Sequence, residues 1–245
     1  MKLSIVIPAY NEEGSIKKTA LAFHKALKAE KIKHEILVVN DNSKDRTESI
    51  LKKLSKDVRE IRYINNQPPN GFGFGVRTGL KNFTGDCVAI VMADLSDRPV
   101  DLIAYYKTMV EGNYDAVFGS RFKKGGKVID YPKVKLIFNR FTNGLIQLLF
   151  GIRYNDVTNA FKLYKRETIE GLEPFLSNHF NLTVELPLKT IVRGYSYTVV
   201  PNYWTNRTAG ESKLKIKEMG SRYFYIILYC LIEKWLSRGD YKKSN

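Results

Sequence analysis

The stretch Asp86-Cys-Val-Ala-Ile-Val-Met-Ala-Asp-Leu-Ser-Asp97 is an apolar run that stops on acids. A buried parallel strand reads as an unbroken apolar segment, so Cys87–Met92 reads as a central strand with Asp94 just past its carboxyl end. In open α/β sheets that edge is where ligands bind. Two other short apolar runs end in the same way: Leu3–Ile7 leads into Pro8-Ala-Tyr-Asn-Glu12, and Ile36–Val39 into Asn40-Asp41. Glu12, Asp41 and Asp94 are therefore expected along one edge of a sheet. An acid placed there suits a divalent cation on a nucleotide diphosphate, since hard cations bind through one or two carboxylates plus substrate phosphates.

Such acids need a scaffold, and the first half of the chain alternates strand and helix patterns. Strands are expected at Leu3–Ile7, Ile36–Val39, Ile61–Ile64, Cys87–Met92 and Ala116–Phe118. Between them lie helical patterns from Ser15 to Leu27, from a cap at Ser43 or Asp45 to Leu54, from Val76 to Phe83, and from Pro99 to Val110. This order predicts an α/β fold, a mostly parallel central sheet with helices on both faces. The second half differs. After the basic turn Lys123-Lys-Gly-Gly126, residues Val134, Ile137, Phe138, Phe141, Leu145, Leu148 and Leu149 recur at helical spacing, suiting either core packing or a lipid-facing surface. Asn159–Tyr164 is strand-like, Leu182–Val192 is a helix containing Glu185, and Tyr197–Trp204 is a final strand. Residues 1–205 form one domain in this reading, and 206–245 a basic, amphipathic helical segment packed on it or on a membrane. The apolar run Tyr223–Ile232 falls well short of the ~20 residues that span a bilayer.

A chain of 245 residues suits one large α/β domain. Forty Lys and Arg against 25 Asp and Glu, a formal charge of +15, call for an anionic partner: a phosphorylated substrate, an acidic membrane surface or nucleic acid. The charge is spread along the chain, without zinc-finger spacing, a basic zipper or RNA-binding aromatics, which argues against nucleic acid. Cys87 and Cys230 sit in apolar runs without metal or redox spacing and are expected to be buried reduced thiols. The start runs directly into a strand and reads as a cytosolic protein. Gly71-Phe-Gly-Phe-Gly75 follows the third strand rather than the first βα turn, which disfavours a dinucleotide fingerprint. A non-enzymatic module for anionic membranes would leave the strand-end acids unexplained.

Val6-Ile-Pro-Ala-Tyr-Asn-Glu12, Val38-Val-Asn-Asp-Asn-Ser43, the Gly71–Gly79 turn, Met92-Ala-Asp-Leu-Ser96 and Gly119-Ser-Arg121 together resemble the inverting family 2 glycosyltransferases of GT-A fold. Asn159-Ala-Phe-Lys-Leu-Tyr-Lys-Arg166 and Arg207-Thr-Ala-Gly-Glu-Ser-Lys-Leu214 are similar to downstream signatures of the dolichyl- and polyprenyl-phosphate sugar transferases in that family.

The resemblance implies a role for each matching position. Pro8, Tyr10 and Glu12 would line the nucleotide pocket, and Asp41 would accept an N–H of the base or else cap a helix. Asp94 would ligate Mg²⁺ or Mn²⁺. Met92 stands where the family usually has a companion acid and Ser96 where Gln is common, so the metal would borrow Asp97 or lean on the donor phosphates. Arg121, Arg207, Ser212 and Lys213 would bind phosphate. Glu185 would be a general base near the acceptor, a carboxylate that positions a Lys or Arg, or a structural residue. The implied reaction carries a hexose-like sugar from a GDP- or UDP-linked donor to a polyprenyl phosphate, with a soluble glycan or protein hydroxyl as the competing acceptor.

Overall fold

The computed structural model describes residues 1–206 and 216–243, with side chains from 220 onward in the second stretch. The first half contains β1 (Leu3–Ala9), α1 (Ile16–Ala29), β2 (His34–Asn40), α2 (Thr47–Asp57), β3 (Ile61–Asn65), α3 (Phe72–Asn82), β4 (Cys87–Ile90), α4 (Pro99–Gly112) and β5 (Ala116–Ser120). The second contains β6 (Lys127–Ile129), α5 (Lys133–Phe150), β7 (Lys162–Lys165), α6 (Arg166–Gly171), α7 (Leu182–Val192), β8 (Tyr197–Pro201), β9 (Tyr203–Thr205) and α8 (Ile216–Leu236). Among the described residues, seven strands form the central sheet in the order β3-β2-β1-β4-β7-β5-β8, and only β7 runs antiparallel to its neighbours.

Side chains alternate across each strand and split the core in two. Leu3, Ile5 and Ile7 of β1 pack with Phe23 of α1, Leu51 of α2 and Leu102 of α4 on one face. Val6 of β1 points to the other, with Val76 of α3, Ile146 of α5, Leu186 of α7 and Ile226 of α8. The expected mostly parallel sheet with helices on both faces is therefore present. Helix ends follow local chemistry: Pro99 opens α4, while α5 stops at Gly151 in the left-handed region, φ 63°.

Several boundaries differ from expectation. The final strand divides at Asn202, because β8 pairs with β5 in the main sheet while β9 pairs with β6 in a separate two-stranded sheet. The helix expected from Val76 begins at Phe72, since Gly73 and Gly75 are helical residues that allow close packing. A Cβ on Gly73 would lie 2.3 Å from the Asn178 carbonyl carbon, and one on Gly79 would lie 2.3 Å from Val6 Cγ1. The glycines thus seat α3 on the sheet and on the loop before α7.

The largest surprise is α5. Asn143, Ile146 and Phe150 are its buried residues, whereas Val134, Ile137, Phe138, Phe141, Leu145 and Leu148 are exposed. Of the seven apolar residues recognised by spacing, six are exposed and Leu149 packs half-buried against the core. In α8, Ile226, Ile227, Cys230 and Leu231 are buried, and Arg193 at the end of α7 pairs with Glu233 at 2.7 Å. Cys87 and Cys230 are free and buried, and burial pushes both thiols up, Cys87 to about 12. Among the described residues, no helix is long and apolar enough to cross a membrane.

Gly79→Ala and Gly144→Ala should move stability in opposite directions. The first forces a methyl into Val6 and should destabilise by about 1–2 kcal/mol net of its helix propensity; the second, with nothing within 4 Å of its Cβ, should stabilise by about 0.5–1 kcal/mol. Urea unfolding reads both, and equal shifts would show that the α3–β1 contact is looser than described.

Candidate active site

Chain order places a topological switch between β1 and β4: the chain steps outward from β1 to β2 and β3, then returns to place β4 on the other side of β1. The carboxyl ends of strands flanking such a switch open a crevice for ligands. Three loops meet there, after β1, β2 and β4. The first two are zipped together. Asn11 N–H donates to Ser43 Oγ (3.0 Å), Lys44 N–H to Asn11 Oδ1 (2.8 Å), Glu12 N–H to Thr47 Oγ1 (2.8 Å) and Arg46 N–H to Glu13 Oε2 (2.9 Å). Asn11 and Asn42 adopt left-handed φ of 52° and 59°, which Asn tolerates better than most residues.

Asp41 is buried beside this zipper. Its Oδ1 accepts Asn66 Nδ2 (2.7 Å) and its Oδ2 the Gly71 N–H (2.7 Å), so it caps no helix; Asp45 instead accepts the Thr47 N–H at the start of α2. A carboxylate has about four acceptor sites, which leaves capacity for a ligand N–H. Pro8 lies across from Gly75, and Tyr10 is 38% exposed at the end of β1. Ser15 Oγ donates to Glu12 Oε2 (2.8 Å).

The loop after β4 carries an electrostatic anomaly. Asp94 is half-buried and accepts the Ser96 N–H (3.1 Å). Asp97 is 1% exposed, and its Oδ1, like Ser96 Oγ, is buried without a hydrogen-bond partner among the described residues. Burial pushes Asp97 up to about 7, and the Asp94 charge adds to the shift; Arg121 and the Met92 backbone only partly offset it. A buried acid raised by a neighbouring acid is an arrangement that a cation relieves. Among the described residues no cluster of three or more His, Cys, Asp or Glu forms a cage. Asp94, Ser96 and Asp97 are hard oxygen groups, and they fit a Mg²⁺ or Mn²⁺ site completed by substrate phosphates. The loop is held by backbone pairing: Asp97 bridges Trp204, and Thr205 N–H donates to Ser96 O (3.1 Å).

Two expectations need correction. Arg121 is not a free phosphate ligand. It is 7% exposed, its guanidinium makes a bidentate pair with Asp156 (Nε–Oδ2 2.8 Å, Nη2–Oδ1 2.7 Å), and its backbone N–H also reaches Asp156 Oδ2 (2.9 Å). Glu185 is not an available base. It is 0% exposed, accepts the N–H groups of Leu176 (2.8 Å) and Ser177 (2.7 Å), and pairs with Lys189 at 2.6 Å. Of its possible roles, only positioning a Lys and structural support match this setting. Arg207, Ser212 and Lys213 lie outside the described residues.

The sequence reading missed the polar layer beneath the acid loop. Tyr154 OH and Asn159 Nδ2 both donate to Gly119 O (3.0 Å each), and Asn159 Nδ2 also reaches Asn202 Oδ1 (3.1 Å). A Cβ on Gly119 would collide with Tyr105 OH and Asn202. Lys162 is buried, donates to the Val157, Asn159 and Thr183 carbonyls, and is pulled down to about 7 by burial. The signal for Gly119, Asn159 and Lys162 was their place in the Gly119-Ser-Arg and Asn159-Ala-Phe-Lys signatures, which meet in one network; Tyr105, Tyr154 and Asn202 lie outside both.

A seven-stranded α/β sheet whose switch-point crevice carries Asp41 at one end and Asp94 at the other defines an open α/β class of protein with a ligand crevice at the strand ends. The chain belongs to glycosyl transferase family 2, whose model matches residues 4–172. It is 31% identical over 221 residues to the dolichol-phosphate mannosyltransferase of Pyrococcus furiosus, covering 89% of this chain and 60% of that protein. It is 27% identical over 219 residues to the uncharacterized glycosyltransferase YkcC of Bacillus subtilis, covering 89% and 65%. The chain thus spans about three fifths to two thirds of the length of these relatives. Glucosyl-3-phosphoglycerate synthase from Mycobacterium tuberculosis, solved with Mn²⁺, UDP and phosphoglyceric acid, superposes with a TM-score of 0.71 at 16% identity, covering 94% of this chain and 78% of that one. The same enzyme has been solved with Mg²⁺ and UDP, with a TM-score of 0.67 at 16% identity, covering 95% and 79%. The fold is GT-A.

Asp97 gives a pH prediction. Its folded value, about 7, stands above the ordinary 3.8, so the folded state holds the proton longer. Its contribution is fully present below the unfolded value and is lost as pH rises through this window, at no more than ~1.4 kcal/mol per pH unit. In chelator, urea unfolding at pH 5 and pH 8 should therefore show a larger loss for the wild type than for Asp97→Asn. Equal losses would mean that Asp97 is ionised without strain.

Proposed function

We propose that the chain is a nucleotide-sugar-dependent glycosyltransferase that moves one hexose-like unit from a GDP- or UDP-linked donor to a polyprenyl phosphate, bound peripherally at the cytosolic face of a membrane. The observation that carries the lipid acceptor is the apolar surface of α5 and α8. Phe141 is 71% and Leu148 80% exposed on α5, and Trp235 63% and Leu236 72% on α8. The two helices touch, and Lys234 Nζ donates to Phe150 O (2.7 Å) where their ends meet. Exposed apolar side chains gathered on two touching helices suit a membrane or protein partner. Lys133, Lys135 and Arg140 on α5, in a chain of net charge +15, favour an anionic lipid surface. The likeness to a dolichol-phosphate mannosyltransferase supports the same acceptor class. The Mycobacterium enzyme supports a nucleotide donor with Mn²⁺ or Mg²⁺.

In this reading Asp41 reads the base, and Pro8, Tyr10 and Glu12 line the nucleotide pocket. Asp94, with Asp97, holds Mg²⁺ or Mn²⁺, which when bound neutralises the departing diphosphate. An acceptor phosphate oxygen bonds to the anomeric carbon as the bond to the donor diphosphate breaks. The electron pair leaves with the nucleoside diphosphate, and the carbon inverts. An ionised phosphate has no proton to surrender, so no general base is needed, in keeping with the sealed Glu185. Arg121 acts from below as the countercharge that keeps Asp97 tolerable. Arg207, Ser212 and Lys213 remain assigned to phosphate binding.

Purified protein given GDP- and UDP-sugars, Mn²⁺ or Mg²⁺ and farnesyl phosphate should make a glycolipid, and product on a soluble phosphorylated acceptor alone would sink the lipid assignment. Asp94→Asn should lower turnover by about 10²-fold or more while the fold persists; unchanged rates would remove it from the site. Flotation with anionic liposomes should fall at high salt and fall again in Phe141→Glu/Leu148→Glu. Flotation indifferent to that double substitution would place membrane contact elsewhere.

A further inference from the structure

The chain folds back on itself after α8. Arg238 and Gly239 take φ of 50° and 93°, in the left-handed region, and turn the backbone off the helix. The returning segment is fastened at three points. Lys243 N–H donates to Arg193 O (2.8 Å), Lys243 Nζ reaches Asp115 Oδ2 (2.9 Å), and the Arg193 guanidinium lies 5.3 Å from the centre of the Tyr241 ring. Between this segment, the end of α7 and the last turn of α8 is a cavity of about 250 Å³. That is below the roughly 300–1,000 Å³ of sites for drug-sized ligands and suits a single headgroup.

The cavity is cationic. Arg193, Lys234, Arg238 and Lys242 line it against one acid, Glu233, and Asp240 of the same tail is not in its wall. Glu233 is already spent on Arg193, at 2.7 and 3.1 Å. Lys234 donates to Phe150 O (2.7 Å), and Arg238 and Lys242 have no carboxylate partner among the described residues. Three positive charges therefore converge without a countercharge, an arrangement that an anion relieves. Ser237 and Tyr241 add hydroxyl groups to the wall. Phosphate suits this set, since Arg presents a fork of donors to its oxygens and Lys a compact charge.

Position separates this cavity from the crevice. Asp115 precedes β5 and Arg193 precedes β8, so the cavity lies at the edge of the sheet opposite the acid loop. The five residues of β5 alone put about 17 Å between the two edges. A phosphate held here cannot be the one that receives the sugar. The 21 residues of α8, about 31 Å, run from one edge to the other, with Tyr223 near the start close enough to Arg121 to feel its charge. Trp235, Leu236 and Tyr241, next to the cavity in the chain, are each more than half exposed, and Trp and Tyr are side chains that settle at headgroup depth.

We propose that this cavity binds the phosphate of an anionic glycerophospholipid through Arg238 and Lys242, with Trp235 and Leu236 beside it in the membrane interface. The lipid is a non-reacting anchor that fixes how α8 lies on the bilayer, distinct from the prenyl phosphate that takes the sugar. The assignment rests on the membrane reading above.

The test uses the full chain with vesicles of phosphatidylcholine, alone or mixed with phosphatidylglycerol, and with two soluble probes, dihexanoyl phosphatidylglycerol and inorganic phosphate. Arg238→Gln/Lys242→Gln should weaken binding to the mixed vesicles by about tenfold or more. Lys17→Gln/Lys18→Gln removes the same charge from α1, on the other face of the sheet, and should weaken it by less than about twofold. Short-chain phosphatidylglycerol should bind the wild type at one site and shift an emission that Trp235→Phe abolishes; Arg238→Gln/Lys242→Gln should lose the binding while keeping its affinity for nucleoside diphosphate, which reports that it folds. Inorganic phosphate should bind about tenfold more weakly, and equal binding would make this a free-anion site and overturn the lipid assignment. In detergent, the short-chain lipid should leave the KM for farnesyl phosphate unchanged; competition would place it in the acceptor site and overturn its separateness. If the wild type binds the mixed vesicles and both double variants lose equally, the attraction is diffuse, and the cavity assignment falls while the membrane reading stands. If the wild type binds neither kind of vesicle, both fall together.

Discussion

The site is organised around a carboxylate that folding leaves in an unfavourable place. Asp97 is buried beside Asp94, and the nearby countercharge belongs to Arg121, itself bound to Asp156. Removing a charge from water is expensive unless it is paired, and a pair already satisfied elsewhere gives only part of the relief. The layer under the loop is built to hold that compromise. Gly119 admits Tyr105, Asn159 ties Gly119 to Asn202, and the chain on either side of Asn202 belongs to different sheets. The protein thereby keeps negative potential at the end of β4, where a hard cation and a diphosphate would meet.

The parts of the fold that were legible in the sequence are those where one local signal decides. Unbroken apolar runs marked the buried strands, and the acids at their ends marked the ligand edge, because parallel strands place equivalent ends together. What could not be read depended on partners distant in the chain. Arg121 has the same sequence appearance whether it faces a phosphate or Asp156, 35 residues on. Glu185 looks like an acid on a helix until Lys189 and two backbone N–H groups are seen to fill it. Asp97 was visible only as a spare acid, since nothing local announces that a residue three positions past Asp94 will be enclosed.

The outer surface carries the complementary lesson. Periodicity located α5 correctly but could not say which side of the helix faces inward, because the apolar residues at the recognised spacing outnumber those the core uses. Ile146 and Phe150, with half-buried Leu149, attach the helix to the core, while Val134, Ile137, Phe138, Phe141, Leu145 and Leu148 are exposed. The glycines of α3 are a parallel case. Their clustering invites comparison with a dinucleotide fingerprint, yet they serve contact with Val6 and with the Asn178 backbone.

The zipper between the loops after β1 and β2 has a thermodynamic meaning. Six cross-loop hydrogen bonds fix Asn11–Glu13 against Ser43–Thr47 in the free protein. The conformational entropy of that rim is lost once, during folding, and need not be lost again when a nucleotide arrives. Half of the crevice is therefore preorganised, so a ligand arriving on that side would meet shape and charge rather than the cost of ordering the chain.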